Sequence, residues 1–131
     1  MYTLETKNYG LKITFSGFIK VAEMAAWVKE SEALVPKLPP KFGVLVDMRS
    51  LKPLPADTEA EMQKGQKFYK SKGMERSAVI LDSVITTMQF NRIAKTTGIY
   101  AFERYINAAT VANWEEVAVA WIKDGKDPDK K

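Results

Sequence analysis

"FGVLVDM", Phe42 to Met48, is the stretch on which the fold turns. It is a short, continuous, valine-rich apolar run, the pattern of a central strand covered on both faces. Upstream, Leu11-Lys12-Ile13-Thr14-Phe15-Ser16 alternates apolar with polar, so that strand buries one face only. Tyr2 to Lys7 makes a weaker strand before it, and Asn8-Tyr9-Gly10 supplies the turn of an antiparallel hairpin.

The segments between and after the strands read as helices. From Val21 to Val35, the residues Val21, Met24, Ala25, Val28 and Val35 fall on one side, and Pro36, Pro39 and Pro40 stop the helix. A second helix from about Thr58 to Lys72 turns Thr58, Met62, Gly65 and Tyr69 inward and Lys64, Lys67 and Lys70 outward. "SAVILD" (Ser77 to Asp82) is another buried strand, and Ser83 to Thr97 a third helix ended by Gly98. "IYAF" (Ile99 to Phe102) is expected to be the last strand. In the final helix Val111, Trp114, Val117, Ala118, Trp121 and Ile122 share a face, and Asn113 with Glu116 suggests a capping box. Strands alternating with helices imply right-handed crossovers and a largely parallel sheet, with the hairpin as an antiparallel edge.

The 131 residues suit one domain, 1–123, followed by a charged tail, 124–131, expected to be flexible. Composition is that of an ordinary globular protein, with 46% hydrophobic and 27% charged residues. Neither cysteine nor histidine is present, which excludes disulfides, thiol and Ser-His-Asp nucleophiles and the common zinc sites. No phosphate-cradling glycine loop occurs among the seven glycines. The expectation is a non-enzyme without cofactor or metal. No apolar run approaches membrane-spanning length, so a cytosolic protein is expected. Twenty basic against sixteen acidic residues leaves +4, and without a recognition motif or interleaved aromatics this does not point to nucleic acid.

"FGVLVDMRSL", "RSAVILDS" and the closing "EEVAVAWI", in that element order, resemble the SpoIIAA-like family of the STAS fold across about Tyr2 to Lys123. The resemblance implies a mostly parallel five-stranded sheet with four helices packed chiefly on one side. Members of this family are also likened to lipid-transfer CRAL-TRIO domains, and the resemblance is nearly silent on function. The absence of His, Cys and a phosphate loop points to a module that works by protein association, as a homodimer through the third helix, with a carrier or sensor of a small hydrophobic molecule or lipid as the alternative. Anti-sigma factor antagonists of this fold carry a phosphorylatable serine in an Asp-Ser-Ser-Gly-like turn. Here that turn reads Pro55-Ala56-Asp57-Thr58-Glu59-Ala60-Glu61, with Thr58 its only hydroxyl. Thr58 with Glu61 fits a capping box better than a switch, and Glu59 and Glu61 would repel a phosphate.

Four sets of residues are candidates for function. Asp57 and Thr58 form the possible regulatory turn. Asp47, Arg49 and Asp82 lie at neighbouring strand ends, where α/β sheets bind ligands, although Asp47 pairing with Arg49 is the structural alternative. Lys64, Lys67 and Lys70 could touch anionic lipid or acidic protein, or be plain surface. The third helix is apolar twice over: Phe90, Ile93, Ala94 and Thr97 make one face, and Val84, Ile85 and Met88 another roughly opposite. That second face is covered by a loop of the domain, a second copy, another protein, or a small hydrophobic molecule or lipid.

Overall fold

The computed structural model describes residues 1–130. Strands are β1 (Tyr2–Lys7), β2 (Gly10–Gly17), β3 (Phe42–Leu51), β4 (Met74–Leu81) and β5 (Glu103–Asn107). Helices are α1 (Val21–Leu34), α2 (Ala56–Ser71), α3 (Val84–Thr97) and α4 (Trp114–Asp124). The sheet order is β1-β2-β3-β4-β5, antiparallel between β1 and β2 and parallel thereafter. The parallel strands are therefore added in one direction. Right-handed crossovers then place α1, α2 and α3 on the same face. Because the order never reverses, no crevice opens of the kind that holds nucleotides in doubly wound sheets.

The two faces of β3 explain its unbroken apolar run. Val44, Val46 and Met48 enter the larger core with Ile13 and Phe15, against Trp27, Met62 and Phe90 of the three helices. Leu45 points the other way, joining Ala78, Ile80 and Ile106 beneath Ala118, Trp121 and Ile122 of α4. Three helices thus cover one face, and α4 covers part of the other.

Three expectations are corrected. "IYAF" is not a strand: Tyr100–Phe102 is a single 3₁₀ turn, and the strand is Glu103–Asn107. Glu103 fills a core position there, so the strand lacks the apolar pattern that would announce it. The inner face of α1 is Met24, Trp27 and Ser31, while Val21 is exposed. The indole sets that rotation by stacking on Tyr69 at 5.6 Å and meeting Phe15 edge-on at 5.2 Å. At α4 the N-cap is Asn113, but its side-chain amide donates to Glu116 Oε2 (3.1 Å) and accepts no backbone N–H. In the segment 124–131, Arg104 donates to both carboxylate oxygens of Asp127 at 2.9 and 3.1 Å. Lys131 lies outside the described residues.

Gly65 lets α2 approach α1. A Cβ there would come within 2.1 Å of the Trp27 ring, which is held by Phe15 and Tyr69 and cannot retreat. Gly65→Ala should therefore lower stability by about 1–3 kcal/mol despite alanine's better helix propensity. Urea unfolding measures this; an unchanged or raised midpoint would show that the α1–α2 contact is looser than described.

Candidate functional site

The rotation of α3 is fixed by polar contacts around its first three turns. Ser83 caps it by accepting the Thr86 amide at 3.3 Å. Gln89 forms a two-way bridge to the α2 entry loop: Leu54 N–H donates to Oε1 and Nε2 donates to Leu54 C=O, both at 2.8 Å. Glu59 of α2 accepts from Gln89 Nε2 and from both Nη atoms of Arg92. The Arg92 bonds lead the effects that hold the Glu59 carboxyl below its usual range, against the opposing effect of burial. In this setting Phe90, Ile93, Ala94 and Thr97 are buried.

The same setting leaves the second apolar face outside. Val84, Ile85 and Met88 are 76%, 68% and 67% exposed, and no loop of the domain covers them. Val84 and Met88 border an open groove of about 220 Å³ that runs to Tyr105, Ile106 and Asn107 at the end of β5. The sequence reading missed Phe18, which is 60% exposed in the β2–α1 loop. The Lys52 amide donates to Gly17 C=O (3.0 Å) and Thr86 Oγ1 donates to Leu51 C=O (3.5 Å), so Phe18 and the start of α3 rim the same end of the sheet.

Asp47 and Arg49 come together as an ion pair. A register shift between β2 and β3 separates the pair Thr14 and Asp47 from the pair Ser16 and Ser50. Asp47 accepts from the Arg49 backbone N–H (3.1 Å), Nε (3.0 Å) and Nη2 (2.8 Å). Burial acts to raise the Asp47 carboxyl, but the Arg49 hydrogen bonds outweigh it and hold the group below its ordinary value. A carboxylate so saturated is a poor general base. The guanidinium also lies 4.4 Å from the Trp114 ring centre, a contact that sequence spacing did not reveal. Asp82 is exposed and lines the same open groove, of about 440 Å³, as Asp47 and Arg49. Among the described residues no three acidic side chains converge to hold a metal ion.

The α2 entry departs from both readings of its turn. The N-cap is Pro55, and Thr58 is the third helical residue, completely buried, its hydroxyl donating to Ile19 C=O (3.3 Å). The expected capping box is therefore not formed. Thr58 ties α2 to the β2–α1 loop and is out of a kinase's reach. Asp57 accepts the Thr58 amide at 2.8 Å. Lys64, Lys67 and Lys70 are exposed, Lys64 bridging to Glu61 at 2.8 Å. They remain apart from the α3 flank and the strand-end groove.

Sequence reasoning also overlooked Glu103, buried where β5 enters the larger core. The Ser77 and Tyr105 hydroxyls donate to its two oxygens at 2.7 and 2.6 Å. Burial pushes this carboxyl up to about 7, with the two hydrogen bonds only partly opposing it. Glu103 borders an internal cavity of about 30 Å³ between the sheet and α1–α2. That is room for one or two waters.

No helix among the described residues is long and apolar enough to cross a membrane. Comparison with protein-family models and with curated proteins gives no match to the chain.

The buried Glu103 has a measurable consequence. Its folded-state value of about 7 lies above the ordinary 4.5, so between those pH values the folded chain holds a proton that the unfolded chain releases. Stability should fall as pH rises through that window, by about 3 kcal/mol at most. Glu103→Gln, which stays neutral, should flatten this slope and be more stable than the parent at pH 8. Chemical denaturation at pH 5 and pH 8 measures both; a variant weakened equally at the two values would show that the carboxylate is accommodated as an ion.

Proposed function

We propose that this chain is a STAS-like, SpoIIAA-like association module whose α3 flank pairs with a second copy of itself. The observation that supports the reading is the exposure of Val84, Ile85 and Met88 on a helix whose other apolar face is already buried. Removing such side chains from water is worth roughly 1.5–3 kcal/mol each when burial is complete. Charge favours a like partner. Asp82 precedes the helix and Lys95 lies in its last turn, both exposed. An antiparallel two-fold pairing sets each Asp82 toward the other copy's Lys95 while the apolar residues meet between them. Phe18 is a further exposed apolar side chain at the same end of the sheet. A cytosolic setting is part of this proposal.

Other readings fare worse. Enzyme chemistry lacks His and Cys, and Asp47 is tied up by Arg49. A phosphoswitch at Thr58 meets a buried hydroxyl. A carrier that encloses a lipid needs an interior, and a cavity of about 30 Å³ is far too small for an acyl chain. The carrier alternative keeps only the open groove beside Met88.

Size-exclusion chromatography with light scattering tests the proposal. The parent chain should approach dimer mass as concentration rises. Val84→Asp/Met88→Asp should remain monomeric with an unchanged far-ultraviolet spectrum. A parent that is monomeric throughout, or a variant that dimerises equally, contradicts the reading.

A further inference from the structure

Arg49 is held in place from two sides. The register shift at the end of β3 displaces the backbone, and Asp47 takes up both the Arg49 amide and one edge of its guanidinium. The Trp114 ring lies under that guanidinium, its centre 4.4 Å from the guanidinium carbon. Held on one edge and one face, the side chain has little freedom left to lose on binding. Its Nη1 makes no hydrogen bond among the described residues, so that edge is free to donate.

The groove beside it is polar. Thr14, Ser16 and Ser50 bring hydroxyls, and Asp82 brings a carboxylate with no hydrogen bond or ion pair among the described residues. Asp47 cancels much of the Arg49 charge but not that of Asp82. An anion on Arg49 would therefore face the Asp82 carboxylate, and an amine on Asp82 would face the guanidinium. One ligand class pairs both. We propose that this groove binds a small zwitterion of the free amino-acid type, its carboxylate on Arg49 and its ammonium on Asp82, with the hydroxyls between them. Val84 and Met88 do not line this groove. Asp82, however, is the charge that the two-fold pairing would set toward Lys95, so the titrations are made at a dilution where the chain is monomeric.

Amide NMR of the full chain, titrated separately with glycine, alanine, serine, glutamine, acetate and ethylamine, tests it. At least one amino acid should shift the amides of Thr14, Ser16, Arg49, Ser50 and Asp82 saturably, with affinity on the order of millimolar. Acetate and ethylamine, each carrying one half of the zwitterion, should bind at least about tenfold more weakly, a difference of one modest ion pair. Asp82→Asn, at an exposed position, should fold normally and lose the response. Arg49→Lys, which keeps the charge but not the fork, should weaken it too. Acetate matching the amino acids would make this an anion site, and ethylamine matching them a cation site; either overturns the proposal. So would undiminished binding by Asp82→Asn, or the absence of saturable shifts from every probe up to about 50 mM, well above a millimolar constant.

Discussion

The bridge between Gln89 and the backbone of Leu54 decides which way α3 faces, and the rest of the functional reading depends on it. α3 carries two apolar faces and only one can meet the sheet. Hydrophobic burial is non-directional and would not by itself choose between them. Gln89 fixes the choice with two hydrogen bonds to one loop residue, backed by Glu59 and by Thr86 on Leu51. These bonds lie on the flank of α3, so they allow Phe90 and Ile93 to go in and send Val84, Ile85 and Met88 out. A helix held that firmly cannot roll to hide its second face.

The same logic of two-sided elements runs through the sheet. One-directional strand order gives three helices to one face and leaves the other to α4. α4 covers the stripe from Leu45 to Ile106, and beyond it the sheet face is polar, with Lys12, Thr14 and Asp47. Lys12 reaches α4 through Glu115 at 3.1 Å, and Arg49 does so through Trp114 at 4.4 Å. Charged side chains at the margin of the smaller core therefore dock α4 as well as shaping the groove.

Much of this was legible in the sequence because the period of the apolar residues carries it. The half-buried β2, the inner face of α2 and the two faces of α3 follow from periods of about 2 and 3.6 residues, the hairpin also from its turn residues, and the doubly covered β3 from an unbroken apolar run. Three of the failures share a physical cause: a deciding partner lies far away in sequence. β5 was hidden because Glu103 takes a core position that only Ser77 and Tyr105 make tolerable. The rotation of α1 follows Trp27, whose partners Phe15 and Tyr69 stand on other elements. Thr58 looked like a cap because its neighbours suit one; its actual partner, Ile19 C=O, lies in the β2–α1 loop. The pairing of Asp47 with Arg49 could be anticipated, being two residues apart, whereas the Trp114 support could not.

The proposed pairing sets the uncovered side chains of α3 against a second copy of the chain. Methyl NMR on a dilution series reads it directly through Val84, Ile85 and Met88. These methyl resonances should move together with concentration while those of the buried Ile93 and Leu45 stay fixed. Signals at Val84, Ile85 and Met88 that are indifferent to dilution, in a chain that tumbles as a monomer throughout, would contradict the account.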